Sequence, residues 1–132
     1  MREAAAALAE RSRVAPERVF LGGRSMGGRI CSMAVAEGLP AAGLVLVSYP
    51  LRPPGRPDKL AERTRHFPDL HVPCLFVSGT RDAFASPAEL EAASAAIPGP
   101  VAHEWIEGGD HGLRRRDVQV TQRIAGWAAF FL

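Results

Sequence analysis

Three residues of this chain combine side-chain type and loop placement in the way acyl-transfer chemistry requires: Ser25, Asp82 and His111. A serine hydroxyl is a weak nucleophile until a histidine accepts its proton, and that histidine needs an acid to fix its tautomer and orientation. Ser25 stands in "VFLGGRSMGGRI", residues 19–30, between two pairs of glycines. The core of the stretch, Gly23-Arg24-Ser25-Met26-Gly27, is a G-x-S-x-G pattern. Between a strand and a helix this pattern mounts a serine on a sharp, strained turn, where small residues let the two elements approach; Gly23 and Gly27 meet that need. Taken alone, the pattern fits a plain tight turn equally well. Asp82 lies in "FVSGTRDAF" and His111 in "EGGDHGL", each just past a strand-like run. Asp110 ranks second for the acid, because a sequence neighbour seldom reaches back to the adjacent imidazole with good geometry.

The glycine-rich stretch fits no phosphate-binding motif. A Walker loop needs a lysine and a hydroxyl residue after its last glycine, whereas Gly27 is followed by Gly28 and Arg29. A dinucleotide fingerprint begun at Gly22 or Gly23 meets Arg24 or Ser25 where its second glycine belongs. Gly23 and Gly27 form a GxxxG pair, but no apolar helix of membrane length surrounds them. His66, His71 and His103 fall in a proline-rich connection, before a strand and within a strand, and are read as structural or exposed. Cys31 and Cys74 lack CxxC or metal-like spacing and are read as buried, reduced thiols. No metal and no cofactor is expected.

The elements that must carry these residues alternate in type. An alanine-rich helix over residues 3–12 and a turn at "APE" precede a strand at 18–23. A helix follows over 26–38, with Ile30, Met33 and Ala34 at helical spacing and Gly38 closing it. "AGLVLVSYP" (42–50) and "VPCLFVSG" (72–79) are near-continuous apolar runs, the pattern of strands covered on both faces of a parallel sheet. "DKLAERTRH" suits a short helix between them. "SPAELEAASAAI" (86–97) carries a full start signal: Ser86 as N-cap, Pro87 at the first helical position and Glu89 to close a capping box. A strand at 101–108 and a final helix from Asp117, striped by Val120, Ile124, Trp127 and Phe131, end the chain. The expected class is therefore α/β, a parallel sheet of about four strands flanked by helices, with right-handed crossovers. Asp82, His111 and Ser25 then meet at the carboxyl edge of that sheet.

Composition sets the outer bounds. The 132 residues make one domain, and 47% hydrophobic with 23% charged residues describes a folded globular chain. Fifteen arginines and the single Lys59 against fourteen acids leave a net charge of +2. The only basic run, Arg114 to Arg116, is too short to argue for nucleic acid. The first residues contain Glu3 and Glu10 and no long apolar core, so neither a signal peptide nor a membrane span is expected, and the cytoplasm is the default location.

The blocks "FLGGRSMGGR", "PCLFVSGTRDAF", "GGDHGL" and "LVSYPLRPPGRP" resemble those of the dienelactone-hydrolase-like α/β-hydrolases. The nearest resemblance is to the small hydrolase-like family that includes a testis-expressed protein and a subunit of a histone acetyltransferase complex. It implies Ser25 as nucleophile, Asp82 as acid and His111 as base, in the chain order of that fold, and Met26 N–H in the oxyanion hole. The expected activity is hydrolysis of a small-molecule ester or related acyl bond; the alternative is an inactive interaction protein. Tyr49, Leu51, Phe84 and Leu113, apolar residues just beyond strand ends, are expected at the pocket rim. The resemblance further implies that the chain corresponds to the C-terminal half of the fold, with a second oxyanion donor in the missing half. The strand at 18–22 then becomes an apolar edge, which favours self-association.

Overall fold

The computed structural model describes residues 15–131; the expected leading helix over 3–12 lies outside the described residues. Four strands, β1 (Phe20–Arg24), β2 (Gly43–Val47), β3 (Cys74–Gly79) and β4 (Val101–Ile106), form one sheet in the order β1-β2-β3-β4. All pairings are parallel, with Phe20 opposite Gly43, Leu44 opposite Cys74, and Cys74 opposite Val101. Helix α1 (Met26–Ala36) joins β1 to β2, the short α2 (Leu60–Thr64) lies between β2 and β3, α3 (Pro87–Ser94) joins β3 to β4, and α4 (Asp117–Ala128) follows β4. The expected α/β class and the alternation of elements are what the chain adopts. One expected element is divided: α4 stops at Ala128, and Ala129–Phe131 tighten into a 3-10 turn.

The apolar runs of β2 and β3 are buried along their whole length because both faces of the sheet are covered. Leu44, Leu46, Cys74 and Phe76 point to one side, where they pack with Cys31 and Val35 of α1, Leu90 of α3, and Phe67 and Leu70 of the β2–β3 connection. Val45, Val47, Leu75 and Val77 point to the other, against Val120, Ile124 and Trp127 of α4. Period-2 alternation thus divides one apolar run between two cores.

Helix α1 is turned differently from its sequence stripe. Gly28, Cys31, Ser32 and Val35 are its buried residues, while Met26, Ile30 and Met33 are exposed at 44%, 51% and 37%. The large apolar side chains that marked the helix in the sequence lie on its outer face. Close approach to the sheet explains the choice, because small residues are needed beneath. A Cβ on Gly28 would lie 2.9 Å from the Gly23 carbonyl oxygen and 3.5 Å from Leu46.

Candidate active site

Ser25 sits between the last residue of β1 and the first of α1, with φ 53° and ψ −123°. A side-chain-bearing residue is rarely held there, and such strain costs on the order of 1–3 kcal/mol. The surroundings enforce it: Ser25 N–H donates to the Val47 carbonyl at 2.8 Å, continuing the β1–β2 ladder, while its own carbonyl accepts from Arg29 N–H at 3.2 Å, starting the helix. The glycine requirement falls on a different pair from the one the pattern suggests. A Cβ on Gly23 would collide with the backbone of Gly27 and Gly28, whereas a Cβ on Gly27 meets nothing within 4 Å. Gly23 and Gly28 therefore make the close contact, and Gly27 is sterically free.

The acid and the histidine come from the loops after β3 and β4, and these loops are tied together. Arg81 N–H donates to the Gly109 carbonyl at 2.9 Å, Thr80 N–H to the Ile106 carbonyl at 3.1 Å, and Gly108 N–H to Thr80 Oγ1 at 2.8 Å. Gly79 and Gly109 let the loops touch, since a Cβ on Gly79 would collide with the Gly109 carbonyl. Arg24, beside the serine, donates through Nη1 to the Gly112 carbonyl at 2.8 Å and so holds the histidine loop against β1.

These supports bring Ser25, His111 and Asp82 into one hydrogen-bonded line. Ser25 Oγ lies 2.8 Å from His111 Nε2, and His111 Nδ1 lies 2.9 Å from both carboxylate oxygens of Asp82. The Asp82 side chain is fully buried and that of His111 is 24% exposed, so the line runs from the interior toward solvent. A carboxylate only accepts hydrogen bonds, which assigns the proton to Nδ1 and leaves the Nε2 lone pair for the Ser25 hydroxyl. Asp82 Oδ1 also accepts from Phe84 N–H at 2.7 Å, and the Phe84 ring lies against the imidazole with centroids 4.1 Å apart. Asp110, the second choice for the acid, is exposed, and its carbonyl accepts from Leu113 N–H at 3.2 Å. Met26 opens α1, where an amide N–H has no intrahelical partner, so its backbone is available beside Ser25.

The expected rim residues divide. Phe84 lies beside the imidazole and is half-buried. Tyr49 and Leu51 are buried in the core instead, with the Tyr49 hydroxyl donating to the Arg63 carbonyl at 2.7 Å and its ring packed on Phe67 and Phe76. Burial also pushes the Tyr49 phenol up to about 12. Leu113 is buried in the second core, with φ 50°. The chain bends inward directly after β2 and after His111, so apolar residues past those strand ends complete cores. Their position relative to the strands did not reveal that.

Two of the other histidines are paired with serines: His66 Nε2 lies 2.7 Å from Ser32 Oγ, and His103 Nε2 lies 2.9 Å from Ser94 Oγ. Burial lowers the proton affinity of both imidazoles. His71 is exposed. Both cysteines are free and buried, and burial pushes the Cys74 thiol up to about 12. Among the described residues, no three His, Cys, Asp or Glu side chains are grouped as metal ligands, and no helix is long and apolar enough to cross a membrane. The supporting contact of Arg24 had no signal in the sequence, because it depends on a loop that lies far along the chain.

Known structures of similar fold include an alpha-beta serine hydrolase homologue from Coxiella burnetii, at 21% identity and a TM-score of 0.67, over 91% of this chain and 53% of that one. A dienelactone hydrolase from Anabaena variabilis matches at 22% identity and a TM-score of 0.65, over 86% of this chain and 50% of that one. A thermophilic esterase from Thermogutta terrifontis matches at 24% identity and a TM-score of 0.68, over 86% and 65% respectively. This chain thus spans about half to two thirds of the length of these proteins. The sequence pattern of the alpha/beta hydrolase domain matches residues 1–129, nearly all of the chain. With a parallel four-stranded sheet of the same fold, this chain belongs to the alpha/beta hydrolase family.

Proposed function

We propose that the chain is a serine hydrolase that cleaves an ester or related acyl bond through Ser25, His111 and Asp82. The observation that carries this reading is the unbroken line from Ser25 Oγ to His111 Nε2 at 2.8 Å and from His111 Nδ1 to Asp82 at 2.9 Å, beginning at a strained serine. In this mechanism Ser25 Oγ attacks the acyl carbonyl while His111 Nε2 takes its proton. Asp82 holds the imidazole in the required tautomer and balances the imidazolium that forms. Met26 N–H faces the developing oxyanion, and His111 returns the proton to the leaving group, giving an acyl-serine. Water activated by the same imidazole then releases the acid and restores Ser25. The substrate is a small molecule, with no metal or cofactor in the reaction. The two free thiols suit a reducing, cytoplasmic setting.

A fluorophosphonate probe tests the reading directly. Labelling of the folded chain that disappears in Ser25→Ala supports it; folded protein that resists the probe sinks it. That second result favours a non-catalytic interaction protein, a reading for which the exposed Met26, Ile30 and Met33 on α1 offer a surface.

A further inference from the structure

We propose that Arg52 is a positioning residue for the acid and the histidine, holding the loop that carries Asp82 and Phe84; this rests on the serine hydrolase reading of the site. Arg52 leaves the sheet just after β2 and reaches across to the β3–α3 connection. Its Nε and Nη2 donate to the two oxygens of Glu89 at 2.8 and 2.7 Å, a bidentate pair with both side chains mostly buried, at 17% and 27% exposure. Its Nη1 donates to the Ala83 carbonyl at 3.1 Å and its backbone N–H to the Phe84 carbonyl at 3.2 Å. One residue therefore grips two consecutive carbonyls directly after Asp82.

Both ends of the grip are anchored. Glu89 is the closing member of the α3 capping box, accepting from Ser86 N–H through Oε1 at 3.1 Å while Ser86 Oγ accepts from Glu89 N–H at 3.2 Å. The same carboxylate thus caps a helix and fixes the guanidinium. The gripped segment passes the constraint on in two ways. Phe84 N–H donates to Asp82 Oδ1, setting the carboxylate, and the Phe84 ring lies on the His111 imidazole. A planar fork with five donors can serve a bidentate carboxylate and a carbonyl together; an ammonium has neither the reach in three directions nor the fixed plane.

The test compares Arg52→Ala and Glu89→Gln with wild type, using the full chain. The first readout is the downfield proton resonance of His111 Nδ1–H on the Asp82 carboxylate, assigned by its absence in His111→Asn. The second is kcat and KM for a p-nitrophenyl ester. Glu89→Gln keeps an Oε1 for Ser86 N–H, so it weakens the grip on Arg52 without removing the helix cap. Release of the loop is expected to broaden or remove the resonance in both variants. In Arg52→Ala it should lower kcat by about 10- to 100-fold, since displacements near 1 Å at a reacting centre have effects of that size, with KM within about 2-fold. Arg123→Ala, which removes only a surface pair with Glu104, is expected to change neither readout.

A folded Arg52→Ala that keeps a sharp resonance and wild-type kcat overturns the proposal. If Arg52→Ala does not fold, the same result in Glu89→Gln overturns it. Equal losses in Arg123→Ala also overturn it, because they would report general loosening. Failure of the hydrolase reading shows separately, as absent probe labelling and absent ester turnover in wild type. The resonance then still reports whether Arg52 holds the Asp82–His111 bond.

Discussion

Ser25 is held at φ 53° by main-chain bonds on either side, while its hydroxyl makes no helix-cap bond and is bonded instead to His111 Nε2 at 2.8 Å. Glycine adopts such a conformation freely and alanine does not, so Ser25→Gly is expected to exceed Ser25→Ala in thermal and urea stability by about 1 kcal/mol, both having lost the bond to His111 and probe labelling. Equal or lower stability of the glycine variant relative to the alanine variant would show that the backbone is not strained. The neighbouring glycines separate by the same steric logic. Gly27→Ala is expected to be neutral or to stabilise by up to about 1 kcal/mol, because its Cβ enters open space in a helix. Gly28→Ala is expected to destabilise by about 1–3 kcal/mol, because its Cβ presses on the Gly23 carbonyl. Urea midpoints of the two variants distinguish these outcomes, and reversed signs would refute the assignment of the tight contact.

At the level of elements, the loops after β2, β3 and β4 form one interlocked unit, and helix α3 is part of it through Glu89. The Arg52 guanidinium beside Glu89 lowers that carboxyl from its ordinary 4.5 to about 2, aided by Ser86. A depressed folded-state value means the carboxylate contributes stability above about pH 4.5 and loses it as pH falls toward 2. The side chain is partly exposed, so solvent screening makes the contribution modest. Between these limits wild type is expected to lose stability more steeply on acidification than Glu89→Gln, as read from urea midpoints. Parallel pH profiles for the two proteins would show that the ion pair contributes nothing.

For the molecule as a whole, β1 pairs only with β2 among the described residues, and the exposed Met26, Ile30 and Met33 lie on the helix that follows it. A parallel strand edge without a partner is a template for another chain. We expect the protein to self-associate through this edge, giving a sedimenting species heavier than the monomer at micromolar concentration. A single monomeric boundary across a concentration series would rule this out.

The sequence by itself determined the alternation of strands and helices, the full burial of β2 and β3, the capping box at Ser86 and the placement of Ser25, Asp82 and His111 in the loops past successive strand ends. These rest on local chemistry: apolar runs of strand length, cap and turn residues, and a hydroxyl, acid and imidazole past successive strand ends. Only the tertiary structure decided which face of α1 is buried, that Gly28 rather than Gly27 meets Gly23, that Tyr49, Leu51 and Leu113 fill cores, and that Arg24 bonds to Gly112 and Arg52 to Glu89 and Ala83. Each of these depends on distances between segments far apart in the chain. A helical stripe marks a period but not its direction, and a loop arginine acquires a partner only when another loop folds against it.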